Sequence, residues 1–167
     1  ANTPPKISAK EEKALLEAIK EKIKITDNDW AENRKQFYIT EEKTFFANNI
    51  VKPDVVALKS GVQYKIVKKG NGKTPKIKDT VTVNYRGTLL DGTEFDSSYK
   101  RGKMDSFKLK DMIPGFSEAM LQIPDGSKVI IYIPTHLAYV EKGTEGVPPY
   151  AALIFEVELN GIKSGFF

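Results

Sequence analysis

The stretch VTVNYRGTLLDGTEFDSS, residues 81–98, decides how the rest of the chain is read. Val81, Val83 and Tyr85 alternate with Thr82, Asn84 and Arg86, and a period of two puts the first three on one face of a strand. Leu89-Leu90 is followed by Asp91-Gly92, a pair that between apolar runs signals a tight hairpin turn. The return strand, residues 93–97, sets Phe95 beside Asp96 at a hairpin end, where side chains can line a cavity mouth. Two later segments are expected to meet it: MIPGF, residues 112–116, and HLAYV, residues 136–140.

Working outward, Val62, Tyr64 and Ile66 alternate before Gly70-Asn71-Gly72, a turn cluster. No glycine fingerprint there opens a helix and no Gly-Lys-Ser/Thr follows, so it is not a phosphate loop. The polar run of residues 99–106 reads as a loop or bulge projecting from the sheet. Pro114 suits a first helical turn, and Phe116, Ala119 and Met120 keep helical spacing until Pro124-Asp125-Gly126 stops them. Val129, Ile131 and Ile133 mark a further strand, and Leu153, Phe155, Val157 and Leu159 one face of a last strand over residues 152–162. The loop between them, residues 134–150, is of the length that tends to carry function. The expected fold class is α+β: a curved antiparallel β-sheet wrapped on one short helix, preceded by an α-helical N-terminal segment.

That segment begins with a helix over residues 8–25, where Ser8 and Glu11 form a capping-box pattern and Leu15, Leu16, Ile19 and Ile23 recur at three and four. Residues 26–29, Thr-Asp-Asn-Asp, offer caps for a second helix over residues 29–49. Its apolar side chains, Trp30, Phe37, Tyr38, Phe45, Phe46 and Ile50, are sparse. They pack on each other or on the following domain, or they form a dimer interface in which a second chain supplies the missing core. Pro53 disfavours helix in the residue before it. The domains are therefore drawn as residues 1–54 and 55–167.

Of the charged residues, 26 are Lys or Arg and 22 Asp or Glu, a net charge of +4. Only Arg34, Arg86 and Arg101 are arginines, so the basic excess reads as solvated lysine surface and argues against a nucleic-acid partner. The sequence has no Cys, which excludes disulfides, zinc-thiolate sites and thiol nucleophiles. No HExxH or EF-hand spacing points to a metal. His136 is the lone histidine and no nucleophile-elbow pattern accompanies it, so hydrolytic catalysis has little support. No apolar run reaches the roughly 18 residues of a membrane span. The start at Ala1 shows no basic-then-apolar leader, consistent with a cytosolic protein or with a signal peptide that is not part of this chain. The end, Gly165-Phe166-Phe167, is expected to fray.

What remains is a concentration of aromatics: Tyr85, Phe95, Phe116, Tyr139 and Phe155. Each alone is readily a core residue. Tyrosine hydroxyls and the Asp96 carboxylate, however, need hydrogen-bond partners when buried. An apolar cavity rimmed by a few polar groups meets both demands, and that is the usual form of a small-ligand pocket.

The order Tyr85, Phe95-Asp96, Ile113-Pro114-Gly115-Phe116, Ala138-Tyr139 and Phe155 resembles the FK506-binding-protein family of peptidyl-prolyl cis-trans isomerases. Spacing and the flanking helices resemble its bacterial Mip and FkpA branch, and the likeness covers roughly residues 55–163. It implies isomerisation of X-Pro bonds in polypeptides, with folding assistance, or a chaperone or peptide-binding module of weak activity. It implies that Tyr85, Phe95, Met112, Ile113, Phe116, Tyr139, Val147 and Phe155 wall a proline pocket. The Ile113 N–H and the Tyr139 hydroxyl would hold substrate carbonyls, and Arg101 would orient Asp96 at the pocket edge. No cofactor and no metal are implied. Implied partners are proline-containing polypeptides, macrolides such as FK506 or rapamycin, and a second copy through the N-terminal helices; the implied location is the periplasm or cell surface of a Gram-negative bacterium.

Such a pocket suits the chemistry. Amide resonance sets a barrier of about 18–20 kcal/mol to rotation about the bond. Resonance is lost in the twisted state, so a water-poor site disfavours the planar form relative to it. Lowering the barrier by about 5–7 kcal/mol accelerates the step roughly 10⁴- to 10⁵-fold. Three positions depart from the family pattern: Phe116 stands for a larger Trp, Val140 for a Gly, and Asp105 for an aromatic wall.

Overall fold

The computed structural model describes residues 8–23, 26–140 and 142–165. Ile25, Glu141 and the Phe166-Phe167 end, each part of an expectation above, lie outside the described residues. Gly165, expected to fray, instead donates its N–H to Asp79 Oδ1 at 3.2 Å.

Helix α1, Ala9–Ile23, opens on the expected capping box. The Ser8 Oγ accepts the Glu11 N–H, and the Glu11 carboxylate accepts the Ser8 N–H, each at 3.1 Å. Helix α2, Asp27–Asn49, opens the same way, Thr26 Oγ1 accepting the Asp29 N–H at 3.1 Å. The cap is thus Thr26, one of the four residues that offer caps, and the helix starts two residues earlier than the sequence reading. The chain forms two compact units, residues 1–37 and 38–167, so their boundary falls inside α2.

In the second unit seven antiparallel strands form one sheet: β1 Val55–Ala57, β2 Gln63–Lys68, β3 Thr80–Leu89, β4 Glu94–Ser97, β5 Asp105–Lys108, β6 Lys128–Ile133 and β7 Leu153–Lys163. Their order is β1-β2-β6-β7-β3-β4, with β5 also paired to β3. The short β1 was not anticipated. Strands β3, β6 and β7 bury alternate residues, as their sequence period requires. Val81, Val83, Val129, Ile131, Ile133, Leu153, Val157 and Leu159 close over Phe116, Ala119 and Met120 of the helix Pro114–Met120.

The polar run of residues 99–106 leaves the sheet, but it is not all loop. It opens in a single-turn helix α3, Ser98–Arg101, passes through residues 102–104 without regular structure, and ends in the first half of β5. The Ser97 side chain accepts the Lys100 N–H, and Gly102 ends the turn in the left-handed region at φ 75°. Strand β3 therefore pairs with β5 over Thr80 to Val83 and with β4 over Arg86 to Thr88, and α3 leaves the sheet between them. Helix α4, Pro114–Met120, begins with the expected Pro at its first turn.

Candidate active site

Strand β3 is the common element of the site. Gly87 pairs with Asp96 on β4 and with Phe155 on β7. A Cβ at Gly87 would lie 2.6 Å from Phe95 Cζ and 3.0 Å from Phe155 Cε1, so glycine is what lets the two rings close over the strand. Phe155 is the hub of the cluster, with ring centroids 5.6 Å from Phe95, 5.5 Å from Phe116 and 6.2 Å from Tyr85. The first two contacts are edge-to-face, the geometry that aromatic quadrupoles favour. Phe107 of β5 adds an edge contact to Tyr85 at 5.5 Å. The pairing of Val81 with Phe107 is what brings it here.

The polar side of the site is built on α3. Its Ser98 is buried and its Oγ accepts the Tyr85 N–H at 2.8 Å, which ties the turn to β3. Arg101, at the turn's end, donates to Asp96 Oδ1 at 2.5 Å and to the Tyr85 hydroxyl oxygen at 3.0 Å. The Tyr85 hydroxyl in turn donates to the other Asp96 oxygen, and Arg101 also pairs with Asp105. The guanidinium lies 5.7 Å from the Tyr85 ring centroid. Burial alone would raise the Asp96 carboxyl, but the Tyr85 and Arg101 donors outweigh it and hold the group below the ordinary carboxylate range. Asp96 is thus an ionised, engaged carboxylate and a poor proton acceptor. Burial, together with the Asp96 hydrogen bond, pushes the Tyr85 phenol well above its usual value.

Asp105, at a position where an aromatic wall was expected by resemblance, is part of this ion-pair chain. Glu94 does not pair with Asp96; a bulge in the β3–β4 register turns it to Arg86 at 3.0 Å and Lys100 at 3.3 Å.

Next to Phe95 and Asp96 lies a recess of about 550 Å³, lined by these two, Glu94, Tyr139, Thr144, Glu145 and Gly146. That volume falls in the range of small-ligand sites. Burial and the charge of Asp96 raise the Tyr139 phenol, and among the described residues its hydroxyl has no hydrogen-bond partner. The Ile113 N–H, at the N-cap of α4, likewise has no acceptor among the described residues.

The ten residues singled out from the sequence are therefore not all at one surface. Phe95, Asp96 and Tyr139 line the recess. Tyr85, Phe155 and Phe116 stand behind Phe95 as a chain of touching rings, all nearly buried. Arg101 holds Asp96 from the side. Val147 is buried in the core cluster, while Met112 and Ile113 are half-buried against it. Thr144, Glu145 and Gly146 were missed; the length of the loop was the only signal of them in the sequence. Val140, beside Tyr139, adopts φ 51°, a left-handed conformation that costs a β-branched residue. No group of three or more potential metal ligands occurs among the described residues.

Comparison with known proteins agrees with this geometry. A family model described as FKBP-type peptidyl-prolyl cis-trans isomerase matches residues 71–160, and one described as the domain amino terminal to FKBP-type peptidyl-prolyl isomerase matches residues 1–66. The chain is 39% identical over 163 residues to FKBP-type peptidyl-prolyl cis-trans isomerase FkpA of Escherichia coli K12, covering 95% of this chain and 58% of that one. It is 46% identical over 124 residues to peptidyl-prolyl cis-trans isomerase Mip of Coxiella burnetii, covering 74% and 54%. The crystal structure of FkpA from Escherichia coli superposes with a TM-score of 0.79 at 37% identity, covering 95% of this chain and 74% of that one. The chain thus spans a little over half the length of these curated relatives. With the sheet wrapped on α4, the ring cluster around Phe155 and matches along both parts of the sequence, the chain belongs to the FKBP-type peptidyl-prolyl cis-trans isomerase family.

Proposed function

We propose that this chain catalyses cis-trans isomerisation of X-Pro bonds in polypeptides and so assists their folding, with residues 55–167 as the isomerase domain. The observation that carries the reading is a recess lined by Phe95, Asp96 and Tyr139, in which the Tyr139 hydroxyl has no hydrogen-bond partner among the described residues; the Ile113 N–H is a second donor without an acceptor among them. The proline ring rests against Phe95, which the buried rings of Phe155, Tyr85 and Phe116 back. The two donors hold substrate carbonyls next to the twisting bond. Asp96, kept ionised by Tyr85 and Arg101, shapes the recess edge and its field and does not act as a general base. Met112 and Val147 complete the apolar surround from the α4 approach and the long loop. Macrolides such as FK506 or rapamycin compete for the same recess, with affinity reduced by Phe116 and by the Arg101-bound Asp105.

The test is turnover of a proline-containing tetrapeptide by the full chain. Tyr139→Phe and Asp96→Ala should each lower kcat/KM about tenfold or more while far-UV circular dichroism stays unchanged, about what one lost hydrogen bond to a polar or charged group is worth. Unchanged turnover in both variants removes the site assignment.

A second reading, a dimer that gathers unfolded clients through residues 1–54, is favoured by the apolar residues of α1 and early α2. Leu15 is 53% and Phe37 60% exposed, and no described residue among residues 8–37 is buried. A second copy supplies the cover. Sedimentation of the full chain as a monomer at micromolar concentration would refute it. One relative bears the name outer membrane protein MIP, of Legionella longbeachae. That name supports a location in the periplasm or at the cell surface of a Gram-negative bacterium. No described helix is long and apolar enough to cross a membrane.

A further inference from the structure

The proposed reaction requires Tyr139 to be held at the recess, and the sheet does not hold it directly. Tyr139 follows a 3-10 turn, Thr135–Leu137, that leaves β6 through Pro134. The turn is closed by its own bonds: the Leu137 N–H donates to the Pro134 oxygen and the Ala138 N–H to the Thr135 oxygen, each at 3.0 Å. A displacement of Thr135 is therefore passed to Tyr139 with little slack.

Two elements grip this turn. Helix α4 comes so near that a Cβ on Gly115 would lie 3.2 Å from the Leu137 carbonyl oxygen and 2.4 Å from Ile133 Cγ2. Glu42 of α2 meets the turn as well: its Oε1 accepts the Thr135 N–H at 2.7 Å, across 93 residues of sequence. That N–H is the first donor of the turn, which nothing inside the turn can satisfy, and a carboxylate is the strongest acceptor for it. The Thr135 hydroxyl is buried and has no partner among the described residues, so it does not substitute for Glu42.

Glu42 is itself fixed. Residues 42, 45, 46 and 49 share one face of α2 by their spacing of three and four. Phe45 lies 5.8 Å from the Tyr132 ring, on the strand that runs into Pro134. Asn49 donates to Gln63 Oε1 at 2.8 Å, and Gln63 Nε2 donates to the Phe46 carbonyl oxygen at 3.1 Å. Burial raises the Glu42 carboxyl above its ordinary value, opposed by the Thr135 N–H and by His136.

We infer that Glu42 is a positioning residue for isomerisation: from α2 it anchors the turn that carries Tyr139, so that the helix preceding the sheet sets one wall of the recess. This inference rests on reading the recess as the proline site.

The experiment compares Glu42→Ala, Glu42→Gln and Glu42→Asp in the full chain. The amide oxygen of Gln still accepts from Thr135, whereas Asp keeps the charge but is one methylene too short. Glu42→Ala and Glu42→Asp should lower kcat/KM roughly threefold to thirtyfold, mainly through KM, and speed hydrogen exchange at the Thr135 and Ala138 amides. Glu42→Gln should restore most of both. If Glu42→Ala does not fold, Glu42→Asp carries the test. An unchanged KM or unchanged Thr135 exchange in a folded variant overturns the inference. Should the unaltered chain show no turnover, the proposed function falls by itself, and exchange at Thr135 and Ala138 still decides whether Glu42 holds the turn.

Discussion

The two ends of α2 are one continuous helix with opposite surroundings. Residues 27–37 belong to a unit in which no described residue is buried, and Phe37 is 60% exposed. Residues 38–49 pack on the sheet: Asn49 is 1% exposed, Phe45 touches Tyr132, and Glu42 reaches Thr135. The helix is not held by one continuous apolar stripe. Its second half is fixed by a carboxylate, one aromatic ring and two amide contacts to Gln63, all of them to partners in the sheet or its loops. Helical spacing is the same throughout, so what separates the halves is whether a matching surface exists.

Alanine substitutions at the two phenylalanines give the widest contrast. Phe155→Ala removes a ring that touches three others, and should cost about 3–5 kcal/mol in urea unfolding and abolish turnover. Phe37→Ala should change stability by less than about 0.5 kcal/mol. A loss near that of a core ring at Phe37 would mean that another surface covers it.

Within the docked half, Asn49→Ala should cost about 1–3 kcal/mol, because it leaves the buried Gln63 amide oxygen without its donor. Thermal unfolding measures this, and no change would mean that α2 is not anchored there. A smaller effect concerns acid. Because the Asp96 pKa in the folded protein is depressed, its contribution is complete above the ordinary carboxylate range, and is lost as pH falls through its lowered folded value. What Asp96 contributes to activity and stability, read as the difference between the unaltered chain and Asp96→Asn, should thus stay level down to about pH 4, near the usual Asp pKa, and decline only below it. A decline centred well above that pH would show that Asp96 is not held by Tyr85 and Arg101. The smallest change expected is a gain. Val140→Gly relieves a left-handed β-branched residue and should raise stability by about 1 kcal/mol, read as a small rise in Tm. A fall would place other contacts of the valine above the strain.

Much of this arrangement was legible in residues 80–97, where alternation gave β3 its bounds and Asp91-Gly92 its hairpin. The Phe95-Asp96 pair was legible for the same reason, since a strand ending in a tight turn leaves few places for its last side chains. Residues 99–106 were misread because a polar run looks the same in a loop and in a capped single turn. The Ser97 cap is local, but the bond from the Tyr85 N–H to Ser98 and the pairing of β5 with β3 decide between them, and both are made by partners elsewhere. Glu42 carried no signal at all. An acidic residue on a Lys/Glu-rich helix is ordinarily solvated, and only the arrival of the Thr135 N–H gives it a different part.

By itself the sequence determined the local elements and the set of aromatic side chains available to the site, because period, caps and turn residues act within a few positions along the chain. The tertiary structure alone decided which of those rings line the recess, which way Arg101 and Glu94 turn, and what holds Tyr139. Those outcomes depend on strand register and on groups brought together from distant positions, where a one-residue shift in pairing would exchange one face of the sheet for the other.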